Sequence, residues 1–152
     1  MNDIRAEVNG LFRGVAPNVP SDNLRYSLFD LFASRIEGTT NIGGLLSALL
    51  RHSPIAQIIL GVANLAKIVP TANTLAPTGI EQLIKSGSEI AARYGHHEIT
   101  EMHILISVLE FHSSDVEAAL KPFSKDYRRR HPKGTRRQQM LVEFSPRLAA
   151  RG

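Results

Sequence analysis

The side chains that could carry chemistry in this chain are histidines, serines and a block of arginines, so the first question is whether their spacing lets them act together. His96, His97, His103 and His112 fall near Glu98 and Glu101, which invites a metal-centre reading. Zinc needs about four donors converging at ~2 Å, and histidines that share a helical face stand three or four residues apart. His103 and His112 are nine apart, and His96 and His97 are adjacent, so this spacing builds no such site and no metal is expected. Cysteine is absent, which removes disulfides, thiolate ligands and a cysteine nucleophile together. Serine, histidine and aspartate all occur, yet without a G-x-S-x-G turn or comparable nucleophile context. The run nearest to a phosphate-binding loop, GTTNIGG, lacks the lysine that would reach phosphate. No catalytic residue, no cofactor and no nucleotide hydrolysis are therefore expected of this chain.

Charge is the remaining chemistry. Residues 1–120 hold 8 Lys/Arg against 12 Asp/Glu, a balance of −4, whereas residues 121–152 hold 10 against 2, a balance of +8. The basic stretch is centred on YRRRHPKGTRRQQ, with Arg128, Arg129, Arg130, Lys133, Arg136 and Arg137 as its candidate contacts. Such a tail suits nucleic acid, an acidic protein surface or a membrane face, and equally a solvated linker. Tyr127 is its only interleaved aromatic, which favours the linker or acidic-partner reading over nucleic acid.

The elements that must position these residues are helical. At 152 residues, 43% hydrophobic and 21% charged, the chain suits one domain, or a small domain with a tail. The polar start MNDIRAEVNG is unlike a secretory signal, so the expected compartment is the reducing cytoplasm. Residues 3–13 place Ile4, Val8, Leu11 and Phe12 on one helical face, and residues 24–36 place Leu24, Leu28, Leu31, Phe32 and Ile36 likewise. Leu45, Leu46, Leu49 and Leu50 mark a further short helix. Ser53-Pro54 then opens an apolar helix expected over 54–69, which Gln57, Asn64 and Lys67 and its shortness exclude as a membrane span. Thr78 with Glu81 has capping-box spacing for a helix over about 79–94, Thr100 precedes another, and Ser114 with Glu117 precedes the last. No stretch alternates long enough to make a convincing strand, so the fold class is all-α.

An internal repeat is the most informative pattern. Shifted by sixty residues, GLLSALLRHSPIAQIIL falls on HILISVLEFHSSDVEAAL: Leu45 on Leu105, Ser47 on Ser107, Leu49 on Leu109, His52-Ser53 on His112-Ser113 and Leu60 on Leu120. With a two-residue gap, FASR lies on IAAR further upstream. Each unit reads long helix, loop, short helix, tight turn, helix. Two copies of one helical unit are expected.

On these residues, most clearly EIAARYGHHEITEMHILISVLE, the chain resembles the N-terminal domain of Clp-type AAA+ unfoldases, which implies a pair of four-helix repeats related by a pseudo-twofold axis. His103 stands in the family's histidine position, with a structural role implied, while the first unit has Gly43 there. The family usually places glutamate before that histidine, where it helps some members recognise modified arginines; Met102 and Ile42 stand here, and a hydrophobe cannot pair a guanidinium-type group. The extra helix in 3–13 is similar to one in the branch that disassembles contractile secretion sheaths. MLVEFSPRLAARG resembles the linker that enters the first ATPase module of such motors, whose parent would be a hexamer.

The resemblance implies a non-catalytic, protein-binding domain that recruits substrates or adaptors to an ATP-driven unfoldase. The expected divisions are 1–21 for the N-terminal helix and linker, 22–70 and 71–123 for the two repeats, and 124–152 for the basic tail. A groove where the two units meet would take a peptide or helix. Phe12, Tyr26, Phe29, Ile42, Met102 and Phe111 are the candidates to line it, each also open to a plain core role. The alternative is a small all-α nucleic-acid-binding protein using the basic tail. No membrane partner is expected.

Overall fold

Rows of leucine and isoleucine at three- and four-residue spacing demand a shared core, and the chain meets that demand with eight α-helices among its described residues. The computed structural model describes residues 4–13, 15, 19–34, 40–71 and 73–130. Helix α1 (Ile4–Gly10) buries Val8 and runs into a turn that buries Leu11. Strand β1 (Val19–Pro20) leads to α2 (Asp22–Ser34), whose entry is held by the Ser21 hydroxyl accepting from the Leu24 amide at 3.2 Å. Strand β2 (Thr40–Asn41) opens α3 (Ile42–Arg51), followed by α4 (Pro54–Leu60) and a 3₁₀ turn over Leu65–Lys67.

The same order then recurs. Strand β3 (Thr74–Leu75), α5 (Pro77–Arg93), β4 (Glu98–Ile99), α6 (Glu101–Phe111), α7 (Ser113–Ala119) and a 3₁₀ turn over Lys121–Phe123 precede the final α8 (Ser124–Arg130). The strands pair reciprocally between the halves. β1 runs parallel to β4 with Val19 opposite Glu98, and β2 runs antiparallel to β3 with Thr40 opposite Leu75. The all-α class holds, since these strands are two residues long and only fasten helices.

Helices α3 and α6 form the centre. α3 packs on α2, α6 and α7, and α6 also packs along α5. Every residue of α6 from Glu101 to Leu109 is buried, polar Glu101, His103 and Ser107 included. No helix among the described residues is long and apolar enough to cross a membrane.

Several local expectations are corrected. The apolar run 54–69 is not one helix: α4 stops at Leu60, where Gly61 takes the left-handed conformation at φ 72° and its amide turns back to the Gln57 and Ile58 carbonyls. That conformation is open to glycine without steric cost. Asn64 then caps the 3₁₀ turn through its side chain, which accepts from the Ala66 amide at 3.0 Å. Helix α5 starts at Pro77, ahead of the expected Thr78 cap, because proline suits a first helical position. Helix α7 starts at Ser113, so Ser114 lies inside it rather than capping it. The first seven residues of the expected tail form α8, and Tyr127 is buried there. Lys133, Arg136 and Arg137 lie outside the described residues.

Candidate functional site

A concavity lies along α5 and α6. Gln82, Ser86, Glu89 and Arg93 share one face of α5 by helical spacing, with Leu83 and Ile90 buried beneath them. Helix α6 contributes Ile106 and, one turn later, Glu110, and it ends in Phe111. Phe111 is the residue at which α6 runs out of core: after the buried run it emerges 62% exposed.

Two cavities flank it. One, of about 430 Å³, is lined by Gly79, Gln82, Leu83, Lys85, Ser86, Glu89, Phe111 and His112. The other, of about 290 Å³, is bounded mainly by Glu89, Ile90, Arg93, Tyr94, Ile106 and Glu110, and shares Ser86, Glu89 and Phe111 with the first. Those shared residues make one groove with the phenyl ring standing in its middle. Beneath it the Ser107 hydroxyl sits 3.0 Å from the Ser86 hydroxyl and 3.3 Å from the His103 carbonyl, tying α6 to α5.

The groove offers apolar contact beside a charged rim of Lys85, Glu89, Arg93 and Glu110. Ser86 faces a second serine, and the bond between their hydroxyls helps hold the two helices together.

His103 is wholly buried at the third position of α6. Its Nδ1 accepts the Thr100 backbone N–H at 2.9 Å, with the Thr100 hydroxyl at 2.8 Å. A ring nitrogen that accepts from an amide carries no proton, so the proton sits on Nε2. Nε2 then donates to His96 Nδ1 at 3.2 Å, and the two rings meet edge to face. His96 in turn stacks on Tyr94, a wall of the smaller cavity. Thr100 and His96, two partners of His103, lie in its own half of the chain. Among the described residues, no group of three or more His, Cys, Asp or Glu side chains is placed to hold a metal ion.

Of the six expected groove residues, the structure brings only Phe111 to these cavities. Tyr26 is 53% exposed on α2, where its ring tilts against His52 at 5.9 Å. His52 Nε2 lies 2.7 Å from an Asp30 carboxylate oxygen that Arg51 approaches at 3.5 Å. Phe12 and Phe29 are half-buried and pack on the core. Ile42 and Met102 line neither of these cavities: at 2% and 8% exposure they are buried at the starts of α3 and α6. The groove also lies within the second half rather than between the halves. Glu89, Ile90, Arg93 and Glu110 were not among the expected residues; their signal is the i, i+4, i+7 row on α5 beside an aromatic that overruns the buried part of α6.

On α8, Arg128, Arg129 and Arg130 are exposed, and Arg129 pairs with Asp126 at 2.6 Å. Comparison of the chain with protein-family models, with curated proteins and with solved structures yields no significant match.

Proposed function

We propose that this chain is a non-catalytic, protein-binding domain of the Clp-type unfoldase kind. In this reading it captures a segment of a substrate or adaptor in the cytoplasm and passes it to an ATP-driven pore carried elsewhere on a parent polypeptide. The single observation that carries the binding role is the groove along α5 and α6, with Phe111 standing exposed at its centre. Exposed aromatics beside apolar floors are the usual anchors of peptide recognition.

Two further observations support descent from one copied unit. The order strand, helix, strand, helix, short helix, 3₁₀ turn recurs, and each half's first strand pairs with the other half's second, parallel in one case and antiparallel in the other. Burial also matches under the sixty-residue shift: Leu45 with Leu105, Leu49 with Leu109, Ala56 with Val116 and Leu60 with Leu120 are all buried. A pocket of modest affinity on a tethered domain raises the local concentration of a substrate near the pore without any chemistry of its own.

The test is a peptide-array screen with the full chain, followed by titration of the best peptide against wild type and Phe111→Ser. Phe111 is mostly outside the core, so the variant keeps the wild-type melting temperature while affinity falls about tenfold or more, the range of an aromatic anchor. Equal affinity in the two proteins, or no peptide bound at high micromolar concentration, overturns the reading.

A further inference from the structure

Helix α8 is fastened by one side and bare on the other. Phe123 and Tyr127, four residues apart, are both buried. Tyr127 lies across Gly61 at the end of α4, where an added Cβ would meet the ring at 2.9 Å. At about 100° per residue, Lys125 and Arg129 fall on the face of α8 opposite Tyr127, with Arg128 at the edge of that face, and Lys121 stands in the 3₁₀ turn just before it. All four are exposed. Residues 121–130 hold five Lys/Arg against Asp126 alone, a balance of +4, next to a body whose first 120 residues balance at −4. Within α8 the cations Arg128 and Arg129 stand three and four residues on from Lys125, or roughly 4.5–6 Å along the axis at 1.5 Å per residue.

We infer that this bare face of α8 docks a carboxylate-rich segment of a partner protein, a surface separate from the groove and independent of it. Acidic side chains placed once per turn on a helix repeat at the same interval as the stripe. Nucleic acid suits it less. Single strands are gripped by stacking bases on exposed aromatics, and both aromatics here are turned inward as anchors. Phosphate-held binding grows with the number of charges neutralised, and a stripe of four cations matches a short acidic segment better than a duplex.

The experiment uses the full chain and a fluorescein-labelled peptide of about 16 residues with Glu once per turn, read by anisotropy at low and at about 150 mM salt. Its controls are the same peptide with Gln for Glu, and single-stranded and duplex oligonucleotides of equal charge. The triple variant K121Q/K125Q/R128Q leaves Phe123, Tyr127 and the Asp126–Arg129 pair in place. Wild type is expected to bind the Glu peptide more tightly than the Gln peptide or either oligonucleotide, with affinity falling several-fold as salt rises. The triple variant loses about tenfold, and K125Q and R128Q singly lose about threefold each, which decides the matter if the triple variant does not fold. Undiminished binding in folded variants places the cations elsewhere and overturns the inference. Tighter binding of either oligonucleotide than of the Glu peptide at about 150 mM salt overturns it in favour of nucleic acid.

Discussion

The starts of α3 and α6 occupy corresponding points in two halves with the same order of elements, yet they are fastened by different chemistry. At α3 the cap residue does the fastening: Asn41 Oδ1 accepts from the Gly44 amide at 2.9 Å and from the Thr71 amide at 3.3 Å. Two residues in, Gly43 has no side chain, and the space its Cβ would take holds the Val69 carbonyl and Pro70. Val69 continues across the molecule, its amide donating to the Ala119 carbonyl at 2.9 Å. At α6 the residue sixty places on from Gly43 is His103, third in its helix where Gly43 is second, a large ring that reaches back to Thr100 and sideways to His96. Removing a side chain lets backbone from the linking segment lie on the helix and join the halves. Supplying an imidazole excludes backbone and instead braces the turn after α5, next to the groove. One position thus serves cohesion in the first half and local rigidity in the second.

The comparison breaks most visibly at His103. His103→Ala removes two hydrogen-bond partners from buried groups and leaves a cavity, an expected loss of about 3 kcal/mol in urea unfolding. His103→Gln supplies the usual third-position acceptor of a capping box for the Thr100 amide, and recovers roughly half of that loss. If glutamine does no better than alanine, the bond back to Thr100 is not what holds the start of α6. Gly43→Ala comes next. Its Cβ collides with backbone, which cannot swing away as a side chain would, so about 2 kcal/mol is lost. An unchanged urea midpoint would mean that the linking segment moves freely, and the contrast with His103 would lose its meaning.

How much of this was legible without coordinates differs by element. Helices α2, α3 and α6 follow from leucine rows at helical spacing, because a row on one face has only one way to be buried. The expected helix over 54–69 failed because apolar content alone does not separate a buried helix from buried coil, and Gly61 was the signal to stop. The groove was hidden for another reason. Ile42, Met102 and Phe111 carry the same apolar signal, and only the covering neighbours decide that two of them are core and the third is surface. In α8 the cations drew the reading toward a free tail, although Phe123 and Tyr127 at four-residue spacing already marked a packed face.

The smallest expected effect sharpens the comparison rather than breaking it. Asn41 makes two bonds, one inside its own helix and one to Thr71 thirty residues on, and the two can be separated by side-chain reach. Asn41→Ala removes both and should cost about 1 kcal/mol, the ordinary size of a lost cap. Asn41→Asp keeps an oxygen at the same reach and retains most of that stability. Asn41→Ser keeps a hydroxyl for the Gly44 amide but is one atom too short for the longer bond to Thr71. The Asp-to-Ser difference therefore reads the link to Thr71, expected at a few tenths of a kcal/mol for so long a bond. Should serine fall as far as alanine in urea midpoint, the cap within α3 counts for little. Asn41 would then act chiefly by holding the linking segment, which makes the start of α3 still more a joint between the halves and still less like that of α6.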